Sequence, residues 1–150
     1  MITVFLLLSI LVAGVNAGVF VAVQIAQVPV QRTLAARDFV LVKRSFELRY
    51  GPRMRVLVVA SLLAPIPIYL TLPPVTTLSL VAIGHALALA VLVVTAIYNL
   101  PVNRVAITWD REHPPGDWEA RRARWHLGNA IRTPIALAAF ACLALAAVLD

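Results

Sequence analysis

Four long apolar blocks constrain the fold of this chain more than any other feature of its sequence. They cover approximately residues 3–30, 54–73, 75–98 and 127–149. A helix rises about 1.5 Å per residue, so about 20 apolar residues cross the roughly 30 Å hydrocarbon core of a bilayer. Only 13% of the residues are charged, whereas a soluble domain carries about a quarter. The sequence therefore predicts one all-α domain over residues 1–150, an integral membrane four-helix bundle.

The fourth helix is expected to begin before its apolar block. Pro114-Pro115-Gly116 is typical of a turn, and Asp117 follows it as a candidate N-cap. The predicted fourth helix therefore covers residues 118–149, and its first turns lie ahead of the lipid core.

The basic residues are confined to two regions of the chain. Seven of the 13 Lys and Arg residues lie between the first two helices, and the other six lie between the third helix and the start of the fourth. The turn at residues 72–77 has none. By the positive-inside rule, this pattern predicts an up-and-down bundle in the cell membrane, with both long loops cytoplasmic and both termini outside. The net charge of +6 then reflects topology, and no nucleic-acid partner is expected.

The first loop has a helical pattern of its own. Phe39, Val42 and Phe46 recur at i, i+3 and i+7. This spacing predicts a helix that lies in the membrane interface or extends the first span, and that ends at Gly51-Pro52. Because this loop lies outside the four apolar spans, no acidic residue is expected within the spans. That absence argues against a carboxylate proton relay and weakens a solute-carrier function.

Polar side chains open the fourth helix on one face. Plotted at about 100° per residue, five of them share a stripe about 80° wide: Trp118, Arg122, Trp125, Asn129 and Arg132. His126 lies at the margin of the stripe. Arg132 lies inside the apolar block, and its neighbours on the stripe favour an interior position over snorkelling to the head groups.

The end of the third block carries two asparagines on either side of a proline. Pro101 has no N–H to donate and restricts Leu100, so the third helix is expected to end or kink there. Asn99 and Asn103 then meet the start of the fourth helix at one end of the bundle. Gln24 brings an amide to the same level from the first helix, and His85 lies deeper on the Asn99 face.

The sequence lacks the motifs of several common chemistries. It contains no HExxH, no cysteine pair and no two-histidine-one-carboxylate set, so no metal site is predicted. A P-loop and a nucleophile elbow are absent as well. The cofactor stays unknown at this stage.

An Asn-x-Pro-x-Asn pattern followed by a Trp and an Asn-x-x-Arg resembles the anthrone oxygenase-like family of small four-helix membrane proteins. The matching positions are Asn99, Pro101, Asn103, Trp125, Asn129 and Arg132. The first helix, with Gly18 and Pro29, is similar too, so the resemblance extends over nearly the whole chain. It departs at Val42-Lys43-Arg44-Ser45, where family members often carry a Gln-x-x-Asn-like element.

The resemblance implies an oxygenase that converts the methylene of an aromatic anthrone to a carbonyl with O₂, chemistry that can run without a cofactor. His126 is then the expected base, and Arg132 the cation that stabilises the oxyanion. The expected partner is an aromatic or lipophilic small molecule in a polar pocket at the cytoplasmic end, surrounded by membrane lipid. The residues expected to bind it are Gln24, His85, Asn99, Asn103, Trp118, Arg122, Trp125 and Asn129.

A second interpretation stays open. The polar cluster can instead fix helix packing in a non-catalytic membrane subunit, or dock a second copy of the chain or another membrane protein. Whether the chain is an enzyme is not decided by its sequence.

Overall fold

The computed structural model describes residues 1–149 and contains four long helices. These are α1 (Ile2–Thr33), α2 (Ala36–Tyr69), α3 (Val75–Ala106) and α4 (Trp118–Val148), and each is long and apolar enough to cross a membrane. All regular structure within residues 1–149 is helical. The predicted all-α class is confirmed, as are four helices that are long and apolar enough to cross a membrane.

The second helix begins much earlier than the apolar block near residue 54. Ala36–Leu63 is one helix that passes through Gly51 and Pro52, followed by a last turn at Ile66–Tyr69. The predicted helix end at Gly51-Pro52 is therefore wrong. Pro52 has no N–H to donate within the helix. In the same turn, the Arg53 side chain donates to the backbone carbonyl of Arg49.

This longer helix changes the charge inventory of the bundle. Asp38 and Glu47 both lie within α2, and Glu119 lies in the first turn of α4. The four apolar blocks contain no acidic residue, as expected, but the helices extend beyond these blocks and do contain them. Glu47 is mostly buried, since 12% of its side chain is exposed.

The third helix continues past Pro101 to Ala106, so the predicted end at Pro101 is wrong. A π turn at Thr95–Asn99 precedes the proline, and the Leu100 N–H bonds to the Thr95 carbonyl. The proline leaves the Ile97 carbonyl without its helical donor, and Arg124 of α4 donates to that oxygen at 2.7 Å. The helix thus accommodates Pro101 by adding a residue to one turn.

The first helix repeats this device. A π turn at Val23–Gln27 precedes Pro29, and the Val28 N–H bonds to the Val23 carbonyl. In both helices the proline stands two positions after the π turn. π turns of this kind are frequent at functional sites.

The fourth helix packs along both α1 and α3. Gly84 allows close packing of α3 on α4, since a Cβ there would lie 3.2 Å from the Ala139 carbonyl oxygen. Gly14 likewise faces the Phe140 ring, whereas Gly18 has open space. The start of α4 at Trp118 is as predicted, but the Asp117 side chain accepts from Arg121 and does not cap the backbone.

Candidate functional site

A buried hydrogen-bond network joins α3 and α4. Arg132 Nη2 donates to Asn129 Oδ1 at 2.6 Å. The side-chain amides of Asn129 and Asn99 both donate to the Trp125 carbonyl, at 2.8 and 3.0 Å. Asn99 and Asn129 are fully buried. The structure therefore brings Asn99 of α3 together with Asn129 and Arg132 of the predicted stripe.

The network continues through the Trp125 side chain to α2. Trp125 Nε1 donates to Asn103 Oδ1 at 2.9 Å, and Lys43 Nζ donates to the same oxygen at 2.8 Å. Lys43 also donates to Glu47 Oε1 at 2.6 Å, and its ammonium lies 3.9 Å from the centre of the Trp125 ring. Lys43 is fully buried, so it is held by an anion, an amide and an aromatic face.

A glycine makes the α3–α4 part of the network possible. A Cβ at Gly128 would lie 2.5 Å from Asn99 Oδ1 and 2.7 Å from Tyr98 Cβ. Such distances are well inside van der Waals contact. Only glycine lets the two helices approach closely enough for Asn99 to reach the Trp125 carbonyl.

Arg132 is buried, and no carboxylate of residues 1–149 is bonded to it. Besides Asn129, its guanidinium donates to Thr95 Oγ1 at 3.2 Å and lies 4.3 Å from the centre of the Phe20 ring. Thr95 belongs to the π turn of α3. Neutral groups therefore hold Arg132, which leaves its charge available to an anionic ligand.

A cavity of about 480 Å³ lies beside this network. Its walls come from all four helices: residues 19–27 of α1, 46–59 of α2, 92–104 of α3 and 125–132 of α4. It therefore occupies the half of the bundle nearest the connections 34–35 and 107–117. Because the C-terminal halves of α1 and α3 meet the N-terminal halves of α2 and α4 there, the helices alternate in direction.

The cavity is mainly apolar, with a few polar groups. Its apolar wall includes Phe20, Phe46, Met54, Val58, Leu92 and Leu100. Its polar or amphipathic residues are Gln27, Glu47, Tyr50, Arg55, Thr95, Asn103, Arg104, Trp125 and Arg132. Three arginines against one glutamate make its lining net positive.

Seven of the ten predicted site residues do not line this cavity. Asn99 and Asn129 belong to the buried network beside it, and the other five lie elsewhere. His126 Nε2 bonds to Gln31 Oε1 of α1 at 3.2 Å, and His126 is buried there. His85 bonds to the Tyr69 hydroxyl at 3.2 Å, beside a separate void of about 20 Å³. Gln24 lies next to the cavity wall, but only its neighbour Gln27 contributes to the lining. His126, the expected base, is thus not part of the cavity lining.

Trp118 and Arg122 belong to a packing cluster at the end of the bundle. Arg122 Nη1 donates to the carbonyls of Gln31 and Leu34, which closes the C-terminus of α1. Its guanidinium lies 4.5 Å from the Trp118 ring and 5.7 Å from the Phe39 ring. Trp118 and Arg122 therefore do not line the cavity, and their polar and aromatic groups make contacts within the fold.

Ion pairs tie the connection 107–117 to the start of α2. Arg37 pairs with Glu112, and Arg111 lies 3.9 Å from Asp38. The hydrogen bond from Arg37 lowers the pKa of the exposed Glu112 carboxyl. Trp109 of the same connection packs against Phe39 of α2, at 6.1 Å between ring centres.

Lys43 and Glu47 were not among the site residues predicted from the sequence. A signal was present, because Lys43 lies between Phe39 and Phe46 on the apolar face of the predicted amphipathic helix. A lysine on an apolar face, four residues before a glutamate, indicates a buried i, i+4 pair.

Comparisons with known proteins identify one family. The model of the family described as anthrone oxygenase matches residues 43–142, two thirds of the chain. No curated protein and no solved structure matches the chain. Among residues 1–149, no group of three or more His, Cys, Asp or Glu side chains could hold a metal ion.

Proposed function

The chain belongs to the anthrone oxygenase family, and on this premise we propose that it is a membrane-embedded oxygenase. Its substrate is an aromatic, lipophilic molecule with an acidic methylene group, of which an anthrone is the simplest example. The reaction takes place in the four-helix cavity.

The observation that carries the proposal is the cavity beside Arg132. At about 480 Å³, it lies within the range of roughly 300–1,000 Å³ that is typical of small-molecule sites. Its apolar wall suits flat rings, and the Trp125 side chain adds an aromatic group to the lining. Such a site binds a lipophilic aromatic molecule better than a polar metabolite.

The positive lining supports reaction through an anion. Removal of a methylene proton from an anthrone leaves an enolate whose negative charge is concentrated on the carbonyl oxygen. Arg132 lines the cavity, and its fork of donors is fixed by Asn129 and Thr95. A preorganised donor of this kind stabilises a developing oxyanion at little reorganisation cost.

The electron-rich enolate can react with O₂ directly. It transfers one electron to O₂, and the two radicals combine to form a C–O bond to a peroxide. Loss of the second methylene proton, with O–O cleavage, then gives the carbonyl and water. One anthrone and one O₂ thus give one anthraquinone and one water.

The distribution of basic residues indicates which side of the membrane the cavity is near. It lies near the connections 34–35 and 107–117, on whose flanks the basic residues are concentrated. The positive-inside rule assigns this end to the cytoplasm of a cell-membrane protein. A substrate dissolved in the bilayer would then react near the cytoplasmic surface.

The test is oxidation of anthrone by the purified protein in detergent micelles. We expect anthraquinone formation with equimolar O₂ uptake, at a rate well above that of empty micelles. Ligands that copurify should be aromatic and identifiable by mass spectrometry. No catalysis, together with a second protein that copurifies stoichiometrically, would favour the non-catalytic subunit.

A further inference from the structure

We propose that Glu47 is the group that takes the methylene proton of the substrate, with Lys43 as its positioning residue. This inference rests on the proposed function of the same cavity. The base expected from the sequence, His126, does not line the cavity, so the proton must go elsewhere.

Glu47 has the necessary position. Within residues 1–149 it is the one carboxylate that lines the cavity. Lys43 bonds to Oε1 at 2.6 Å, while Oε2 lies beside Gly51 with no protein donor among the described residues. One oxygen is thus held in place and the other is open to a ligand.

The Lys43 ammonium connects this carboxylate to the substrate-binding wall. It bonds to Asn103 of α3 and lies against the Trp125 ring of α4. A fully buried side chain with three such partners has little freedom. Lys43 therefore fixes Glu47 relative to the residues that would hold the aromatic rings.

Among residues 1–149, the other charged groups that line the cavity with Glu47 are all positive. They are Arg55 from α2, Arg104 from α3 and Arg132 from α4, and Lys43 bonds to Glu47 directly. The enolate formed by proton removal meets the same cations, so positive charge remains matched when Glu47 becomes neutral.

The proton transfers balance with a single carboxylate. Glu47 Oε2 takes the first methylene proton, and the C–H electron pair remains on the substrate as the enolate. After O₂ has added, the carboxylic acid returns this proton to the peroxide. The carboxylate then takes the second C–H proton, the O–O bond breaks, and the departing hydroxide receives the proton as water.

The experiment separates proton removal from oxidation. Anthrone is incubated under argon in D₂O with the micellar protein, and deuterium uptake at the methylene is followed by NMR. We expect the wild-type protein to accelerate exchange over empty micelles. Glu47→Gln keeps the size and the acceptor for Lys43, but it should lower the rate by about 10²-fold or more. Glu119→Gln, on an exposed turn of α4, is the matched control and should leave exchange unchanged.

A second variant distinguishes a base from a counter-ion. If Glu47 only neutralises Lys43, the double variant Glu47→Gln/Lys43→Met should regain wild-type exchange. If Glu47 is the base, the double variant stays slow, while anthraquinone still binds to it. Exchange by Glu47→Gln within about threefold of wild type, or recovery in the double variant, overturns the inference. Wild-type exchange without aerobic oxidation would instead overturn only the oxygenase function.

Discussion

Arg132 is held by neutral partners although it is buried among apolar helices. Its guanidinium contacts an amide oxygen, a hydroxyl and an aromatic ring. If it stabilises a developing oxyanion, Arg132→Ala should lower anthrone oxidation by about 10²–10³-fold. Arg132→Lys should recover part of the rate, because it restores charge but not the fork of donors.

The matched control for this prediction is Arg111→Ala. Arg111 is half exposed, and its ion pair with Asp38 is long, at 3.9 Å. We expect its removal to leave oxidation unchanged. Equal losses in Arg111→Ala and Arg132→Ala would mean that total positive charge, and not the cavity, controls the rate.

Gly128 tests the α3–α4 contact. The added Cβ of Gly128→Ala would collide with Asn99 and Tyr98, so overpacking should cost about 1–3 kcal/mol of stability. Gly18→Ala is the control, because nothing lies within 4 Å of its added Cβ. Thermal unfolding in detergent should show a lower Tm for Gly128→Ala alone. A Tm equal to that of Gly18→Ala would contradict the close approach.

His126 should matter for stability and not for chemistry. Its imidazole bonds to the fully buried Gln31, whose amide would lose that partner in His126→Ala. We expect a loss of about 1–3 kcal/mol in unfolding free energy. The turnover per folded molecule should stay within about threefold of wild type, since His126 is not at the cavity. A selective loss of turnover at unchanged Tm would restore His126 as the base.

At the scale of residues, the sequence predicts which side chains share one face of a helix. It does not predict which side chains of two helices meet. The 3.6-residue period alone places Trp125, Asn129 and Arg132 on one face. It does not show that His126, at the margin of that face, meets Gln31 from a distant part of the chain. Such partners depend on how the helices pack.

At the scale of elements, the π turn of α3 carries one residue more than an α turn. Deleting Ile97 from this turn should convert it to an α turn and leave the faces on either side in register. Deleting Ile83 from the regular part of α3 should instead rotate one side by about 100°. Ile83 and Ile97 are about equally exposed, at 51% and 50%, so the two deletions are matched.

The measurement is Tm and size-exclusion behaviour of both deletion variants in detergent. We expect the protein lacking Ile97 to remain folded with a lowered Tm, because Arg124 loses its bond to the Ile97 carbonyl. The protein lacking Ile83 should aggregate. Equal loss of folding in both variants would mean that the helix cannot lose a residue from the π turn.

The helix boundaries show where sequence reasoning stops. Hydropathy identifies the part of a helix that lies in lipid, so the apolar block near residue 54 is visible and the polar start of α2 at Ala36 is not. Lys43 and Glu47 can be buried because they form an ion pair and because Lys43 also donates to Asn103. That compensation arises from tertiary packing, which no single helix reveals.

For the whole molecule, the cavity requires all four helices at once. Each wall alone is an ordinary membrane helix, and only their alternation brings residues 19–27, 46–59, 92–104 and 125–132 to one level. The number of spans follows from composition, whereas the space between them depends on side-chain volumes across helices. Because the cavity lies towards one end of the bundle, the orientation of the bundle decides which membrane surface the cavity is near.

The orientation of the bundle is the last prediction. The basic residues flank the connections 34–35 and 107–117 and are absent from the turn at 72–77. An anionic cytoplasmic leaflet attracts each nearby Lys or Arg by about 1 kcal/mol, so two groups of six and seven cations strongly favour one orientation. In a Cys142→Ala background, His113→Cys should react with an impermeant maleimide only after the cytoplasmic side is opened. Val75→Cys, exposed at the start of α3, should react in intact cells. The reverse result would turn the cavity to the outer face, where a substrate made in the cytoplasm would reach it only after crossing the membrane.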